Sequence, residues 1–229
     1  MNGRGASSLS STQPFGAAYA RRISLDLRDL GGDRGGLPIF RGASFRLKPG
    51  EAVQIFGANG AGKSSLLGVL AGHFPASEGT VYWRDGNSDD WREDKPPREA
   101  VLFLGHERGA MASLTVVEHL DFWRARYRRP SMGPERVTAL LSRLRLENYA
   151  DEPAARLSAG QKRRLDFARL IIAARPVWLL DEPTAFVDEA GSALFASLVA
   201  DHLKRGGVAI AATHERLAIG GFECVIGQA

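Results

Sequence analysis

Eight consecutive residues, Gly57-Ala58-Asn59-Gly60-Ala61-Gly62-Lys63-Ser64, have the composition of a phosphate cradle. Backbone N–H groups converge on phosphate oxygens only where the chain turns tightly without a Cβ in the way, the part suited to Gly57, Gly60 and Gly62. Lys63 adds a mobile positive charge and Ser64 a hydroxyl suited to Mg²⁺, with Ser65 next in line. A chance glycine-rich turn before Lys-Ser is the plain alternative. The flanks argue against it, because an apolar run at 53–56 precedes the loop and a helix-like stretch at 65–70 follows.

A second constellation lies at Asp181 and Glu182, where two carboxylates end the apolar run 177–180. Asp181 suits Mg²⁺ binding and Glu182 suits a general base acting on water. Adjacent acids are common in solvated loops, so their meaning comes from the phosphate cradle elsewhere in the chain. His106 and His214 also follow apolar runs, at 101–104 and 208–212. All four runs are apolar at nearly every position, as expected of strands covered on both faces in a parallel sheet between helices, an α/β architecture. Open α/β sheets bind ligands at the carboxyl ends of their strands, so one nucleotide can touch Gly57, His106, Asp181 and His214.

The remaining pattern frames these motifs. Residues 23–27 alternate apolar and polar like an edge strand, a glycine-rich turn is expected at 31–36, and a second strand at 43–47 stops at Lys48-Pro49-Gly50. From about 107 to 155 the chain reads as helices. Its middle, 119–147, carries seven arginines against three acids and an apolar stripe of Leu140, Leu141, Leu144 and Leu146. The arginines read as a solvated helical face or a membrane-facing surface. The expected organisation is an extension over 1–22 without fixed structure, then one domain over 23–229 with an inserted helical subdomain at about 107–165.

With 229 residues, 44% of them hydrophobic and 24% charged, the chain can bury one sizeable core with a small appended subdomain. Apolar runs fall short of a membrane span, since even 170–180 is broken by Arg175 and Pro176. The single cysteine, Cys224, excludes an internal disulfide and a cysteine-built metal centre. A net charge of +4 reads as an ordinary surface rather than as a nucleic-acid footprint. The Ser-, Gly- and Ala-rich first 22 residues also have a transit-peptide composition, but no apolar secretory core.

Leu157-Ser158-Ala159-Gly160-Gln161, opening a helix-like run at 162–172, resembles the signature of the ABC ATPase family. The resemblance implies a P-loop NTPase of ABC ATPase type: a mixed/parallel sheet core with antiparallel edge strands and an inserted helical subdomain. It implies that Ser158, Ala159, Gly160 and Gln161 complete the ATP site of a second copy, so that a homodimer is the working unit. Ser158 also suits an ordinary helix N-cap, a reading that alone leaves Gly160 and Gln161 unexplained. Residues 184–188 resemble the family's D-loop, with Phe186-Val187 departing from its usual small-then-Leu pair. His214 resembles the switch histidine that acts with Glu182. His106 occupies the slot of the family's metal-contacting glutamine. No aromatic residue for stacking adenine is visible at 31–36, and Phe40 sits at an expected core position.

Finer wording narrows the resemblance: Phe103-Leu104-Gly105-His106, Leu114-Thr115, Glu118-His119-Leu120, Arg163-Arg164 after the signature, and Thr213-His214. Together these look like the ATP-binding subunit of cytochrome c maturation systems, over about 23–219. That likeness implies ATP and Mg²⁺ as ligands, integral membrane permease subunits as partners, and a peripheral place on the cytoplasmic face of the bacterial inner membrane. Its activity would be ATP hydrolysis driving heme handling or export. No nucleic-acid partner and no direct heme ligation by this subunit are expected: His73, His119 and His202 form neither a Cys-x-x-Cys-His site nor a spaced cluster, and read as surface or helix-end residues. Two alternatives remain open, a generic ABC exporter cassette with another cargo and a soluble nucleic-acid-associated ABC ATPase.

Overall fold

The computed structural model describes residues 18–86, 90–93, 95–97, 99–105 and 110–227. Five strands form a parallel sheet: β3 (Ala52–Phe56), β6 (Val101–Leu104), β7 (Val177–Asp181), β8 (Val208–Ala212) and β9 (Phe222–Val225), in the order β6-β7-β8-β3-β9. Four more form a separate antiparallel sheet in the order β2-β1-β4-β5: β1 (Ile23–Arg34), β2 (Leu37–Leu47), β4 (Glu78–Asp85) and β5 (Trp91–Glu93). The helices are α1 (Lys63–Leu70), α2 (Val116–Arg126), α3 (Pro134–Leu144), α4 (Ala159–Ala173) and α5 (Glu189–Lys204).

The near-continuous apolar runs are explained by two cores, one on each face of the parallel sheet. Val177, Leu179, Val208 and Ile210 face a core shared with α1 and the antiparallel sheet. The alternate residues Trp178, Leu180, Ala209 and Ala211 face a second core built with α2 to α5. Period-2 side-chain alternation thus assigns each strand residue to a layer, and a polar residue at either position would be buried. Gln54 is such a residue on β3. Its amide closes on the loop after β8, accepting from Leu217 N at 2.8 Å and donating to Leu217 O at 3.1 Å and Gly220 O at 3.3 Å.

The first strand departs from the edge-strand expectation. β1 lies between β2 and β4, runs on through Gly31 and Gly32, and the turn shrinks to 35–36. Its alternating polar residues are buried because they have partners: Asp26 pairs with Arg46 at 2.5 Å and Arg28 at 3.0 Å. Sequence places the start of the packed chain at Ile23, yet Tyr19 is already buried, its hydroxyl 2.8 Å from His202 Nδ1. Residues 1–17, the rest of the expected extension, lie outside the described residues.

Between β6 and β7, which pair side by side, α2 and α3 pack on α4. Thr115 and Glu118 form a capping box at the start of α2. The arginines here are not simply a solvated face. Arg129 donates to Ala173 O and Ala174 O, satisfying the last carbonyls of α4, and Arg143 pairs with Asp201 on α5. Arg126, Arg128, Arg136 and Arg145 are exposed.

The histidines expected at the surface or at helix ends divide by burial. His73 is exposed, but His119 and His202 are fully buried, His119 accepting from Met111 N at 2.9 Å and His202 stacking on Trp178 at 3.8 Å. Cys224 is half-buried on β9, the strand that borders β3.

Candidate functional site

β3, β8 and β7 are neighbours, and their carboxyl ends deliver the cradle, His214 and Asp181-Glu182 to one rim of the sheet. A cavity of about 480 Å³ opens there, lined by Asn59, Gly60, Gly62, Lys63, Ser64, Ser65, Asp181 and Glu182, with Arg34 and Ile39 on the far wall. A second cavity of about 560 Å³ adjoins it at Asn59 and Glu182 and reaches Phe186, Thr213 and His214.

Two glycines of the cradle are demanded by space. At Gly62 the backbone sits at φ 90°, and a Cβ would lie 2.8 Å from Ile39 Cγ2. At Gly57 a Cβ would lie 2.6 Å from Ile226 O, where the chain leaves β9. Ala61 is buried and braces the turn through its N–H to Ala58 O. Lys63 opens α1, and its ammonium donates to Gly57 O at 2.8 Å and Ala58 O at 3.2 Å, across the mouth of the loop. Ser64 and Ser65, in the first turn of α1, face the same space.

Across the cavity, Asp181 is the last residue of β7 and Glu182 follows at φ 45°, a left-handed backbone unusual for a glutamate. Glu182 Oε2 lies 2.9 Å from His214 Nδ1. A carboxylate only accepts, so Nδ1 carries the proton of this bond. The histidine is held in turn by its loop: Thr213 Oγ1 accepts from Glu215 N at 3.1 Å, and Thr213 N donates to Ile55 O at 3.0 Å. Oxygen donors from Ser64 and Asp181 facing one polar space make a hard donor set of the kind Mg²⁺ takes.

Ser158, Ala159, Gly160 and Gln161 line neither cavity. They open α4 as a capping box, Ser158 Oγ accepting from Gln161 N at 3.2 Å and Gln161 Oε1 from Ser158 N at 2.7 Å. Gly160 passes under Phe186, whose carbonyl would stand 3.1 Å from a Cβ there. The capping box gives Gln161 a local structural role beside that of Ser158, and Gly160 lies close beneath the Phe186 carbonyl. Arg164 on α4 bonds Asp188 Oδ1 at 2.8 Å, and Asp188 also caps α5 through Gly191 N, which together hold the Asp188 carboxyl below its usual range. Phe186 is exposed at φ 69°. His106 lies outside the described residues. Phe40 is fully buried, as its core position suggested. The residues that sequence reasoning missed are Arg34 and Ile39, brought to the cavity only by the pairing of β1 with β2.

The family model for ABC transporters matches residues 40–185. A cytochrome c biogenesis ATP-binding export protein of Rhodopseudomonas palustris is 44% identical over 86% of this chain and 94% of its own length. The chain belongs to the ABC transporter ATPases, in their cytochrome c biogenesis export branch. The corresponding protein of Mesorhizobium japonicum is 42% identical over 90% of this chain and all of its own length. Among solved structures, an ABC transporter ATP-binding protein from Pyrococcus furiosus superposes with a TM-score of 0.75 at 20% identity, over 88% of this chain and 96% of that one. A dimeric ATP-binding cassette bound to ADP and phosphate superposes at 0.67 and 24% identity, over 83% and 88%. The fold of this cassette is thus that of ABC ATPases, with both sheets in place.

Proposed function

We propose that this cassette hydrolyses ATP as the paired, peripheral subunit of an export assembly for cytochrome c biogenesis, on the cytoplasmic face of the inner membrane. The observation that carries the hydrolytic part is the 2.9 Å bond between Glu182 and His214 at the edge of the Lys63 cavity. The branch assignment rests on 42–44% identity to export proteins over most of both chains. Among the described residues no helix is long and apolar enough to cross a membrane, so a membrane assembly requires partner subunits.

In this reading the cradle and the start of α1 hold the triphosphate, and Lys63 exchanges its bonds to Gly57 O and Ala58 O for phosphate oxygens. Ser64 and Asp181 would hold Mg²⁺, which supplies charge neutralisation at the phosphates. Glu182 accepts the proton of an attacking water, and His214 fixes the direction of its carboxylate through Nδ1–H. Arg34 and Ile39 give the base a cation and an apolar face in place of an aromatic ring. The signature residues line neither of this copy's two cavities, and in this reading they complete a second copy's site.

Glu182→Gln should retain ATP affinity, lose turnover by roughly 100-fold or more, and accumulate as an ATP-bound dimer in size-exclusion chromatography. Normal turnover in that variant defeats the general-base role. Deletion of the gene with cytochrome c maturation intact defeats the pathway. Arg34→Ala should raise the KM for ATP several-fold with kcat little changed.

A further inference from the structure

Arg163, the second residue after the signature, lines neither cavity, yet it is buried and bonded to the segment that carries Glu182. It lies two residues after Gln161 on α4, with 5% of its surface exposed. Its guanidinium grips three successive backbone carbonyls: Asp181 O at 3.1 Å and Glu182 O at 2.7 Å through Nη2, and Pro183 O at 2.8 Å through Nε. Nη1 points at Gly105 O, 3.5 Å away, and lies 3.8 Å from the fully buried carboxylate of Asp166, one turn along the same helix. On the other side, the Glu182 N–H is held by Ala212 O at 2.9 Å. The left-handed backbone of Glu182 is thus clamped from both ends, by β8 and by Arg163.

We infer that Arg163 is a positioning residue for hydrolysis: it holds the Glu182 backbone in its strained conformation and makes that conformation depend on where the signature helix sits. The inference rests on the general-base role of Glu182. A rigid α-helix moves as one body, so displacement of its Ser158 end shifts the Arg163 fork together with it. Three carbonyl acceptors suit the several N–H donors of a planar guanidinium. A lysine keeps the charge but offers a single point donor. The buried Asp166 keeps the cation neutralised at a site where an uncompensated charge would be costly. Occupation of the signature end by a second copy's nucleotide would then be felt at Glu182 of this copy, so that each of two sites is licensed by the other.

The test uses the full chain carrying Arg163→Lys and, separately, Arg163→Met, with thermal melting, ATP affinity by a fluorescent ATP analogue, and steady-state hydrolysis. Expected for Arg163→Lys is a kcat loss of roughly 10- to 100-fold, the scale of a small misplacement of a catalytic group, with KM and ATP affinity within about twofold. Added to Glu182→Gln, either substitution should lower the residual rate no further, since Arg163 acts through Glu182. Wild-type kcat in both variants overturns the inference, as does a loss that multiplies with that of Glu182→Gln. A loss of ATP affinity or folding in step with kcat in both variants also overturns it, making Arg163 a fold element only. If Glu182→Gln alone turns over normally, the general-base reading fails first. If Glu182→Gln is inactive while Arg163→Lys and Arg163→Met both keep wild-type kcat, only the positioning role fails.

Discussion

Glu182 adopts a conformation that costs an L-residue on the order of 1–2 kcal/mol, and it adopts it at the edge of the Lys63 cavity. A strained backbone held from both sides is a common price of placing a reactive group. Glu182→Gly should therefore raise thermal stability, by up to about 1 kcal/mol, while abolishing hydrolysis; calorimetry and a phosphate-release assay together check the pair. The grouping of residues at the cavity was legible in the sequence where it depends on local spacing, as in the run from Gly57 to Ser65 or the acids after 177–180. It was illegible where a contact is made across the sheet. Nothing in the sequence around Arg34 reveals that the hairpin carries it to the cavity, and nothing around Arg163 reveals the three carbonyls above it. In the signature the N-cap at Ser158 was legible, whereas the reciprocal bond from Gln161 that completes a capping box was not.

α5 and β8 are joined by a buried histidine whose chemistry makes stability depend on pH. His202 lies on α5 between the Trp178 ring, Tyr19 Oη and Val208 O. Burial pushes its imidazole down to about 3, with the Arg205 guanidinium pushing the same way and the bond to Val208 O opposing. The group is neutral when folded and takes up a proton when unfolded below its ordinary value near 6.5, so its contribution is complete above that value and drains as pH falls towards 3. Between pH 7 and 5 the loss should approach about 2 kcal/mol in urea denaturation, and His202→Gln should lack most of that slope. At this scale the four apolar runs predicted their strands well, because burial on both faces keeps nearly every position apolar, Gln54 being the polar exception on β3. β4, β5 and β9 were not anticipated. β9 carries exposed Phe222 and Val225, so it has little burial signature of its own and owes its place to pairing with β3.

Across the whole molecule, both ends of the described chain return to the body of the cassette. Tyr19 N–H reaches Arg205 O at 3.0 Å, and Arg205 lies over the Tyr19 ring at 4.3 Å. Tyr19→Ala should lower the melting temperature by several degrees, the scale expected for losing about 1–2 kcal/mol of burial. Near the other end, Ile226 N donates to Phe56 O at 2.8 Å, and its own carbonyl leaves no room for a Cβ on Gly57. Two residues earlier stands Cys224, whose thiol burial pushes upward in pKa. With no other sulfhydryl in the chain, this cysteine is a native reporter group. Half-buried on β9, the thiol should react slowly with a maleimide while the sheet is closed and faster when β9 peels from β3, which is also when the floor of the phosphate loop loosens. The time course of labelling on the unaltered protein therefore meters the breathing of that floor, and saturating ATP should slow it.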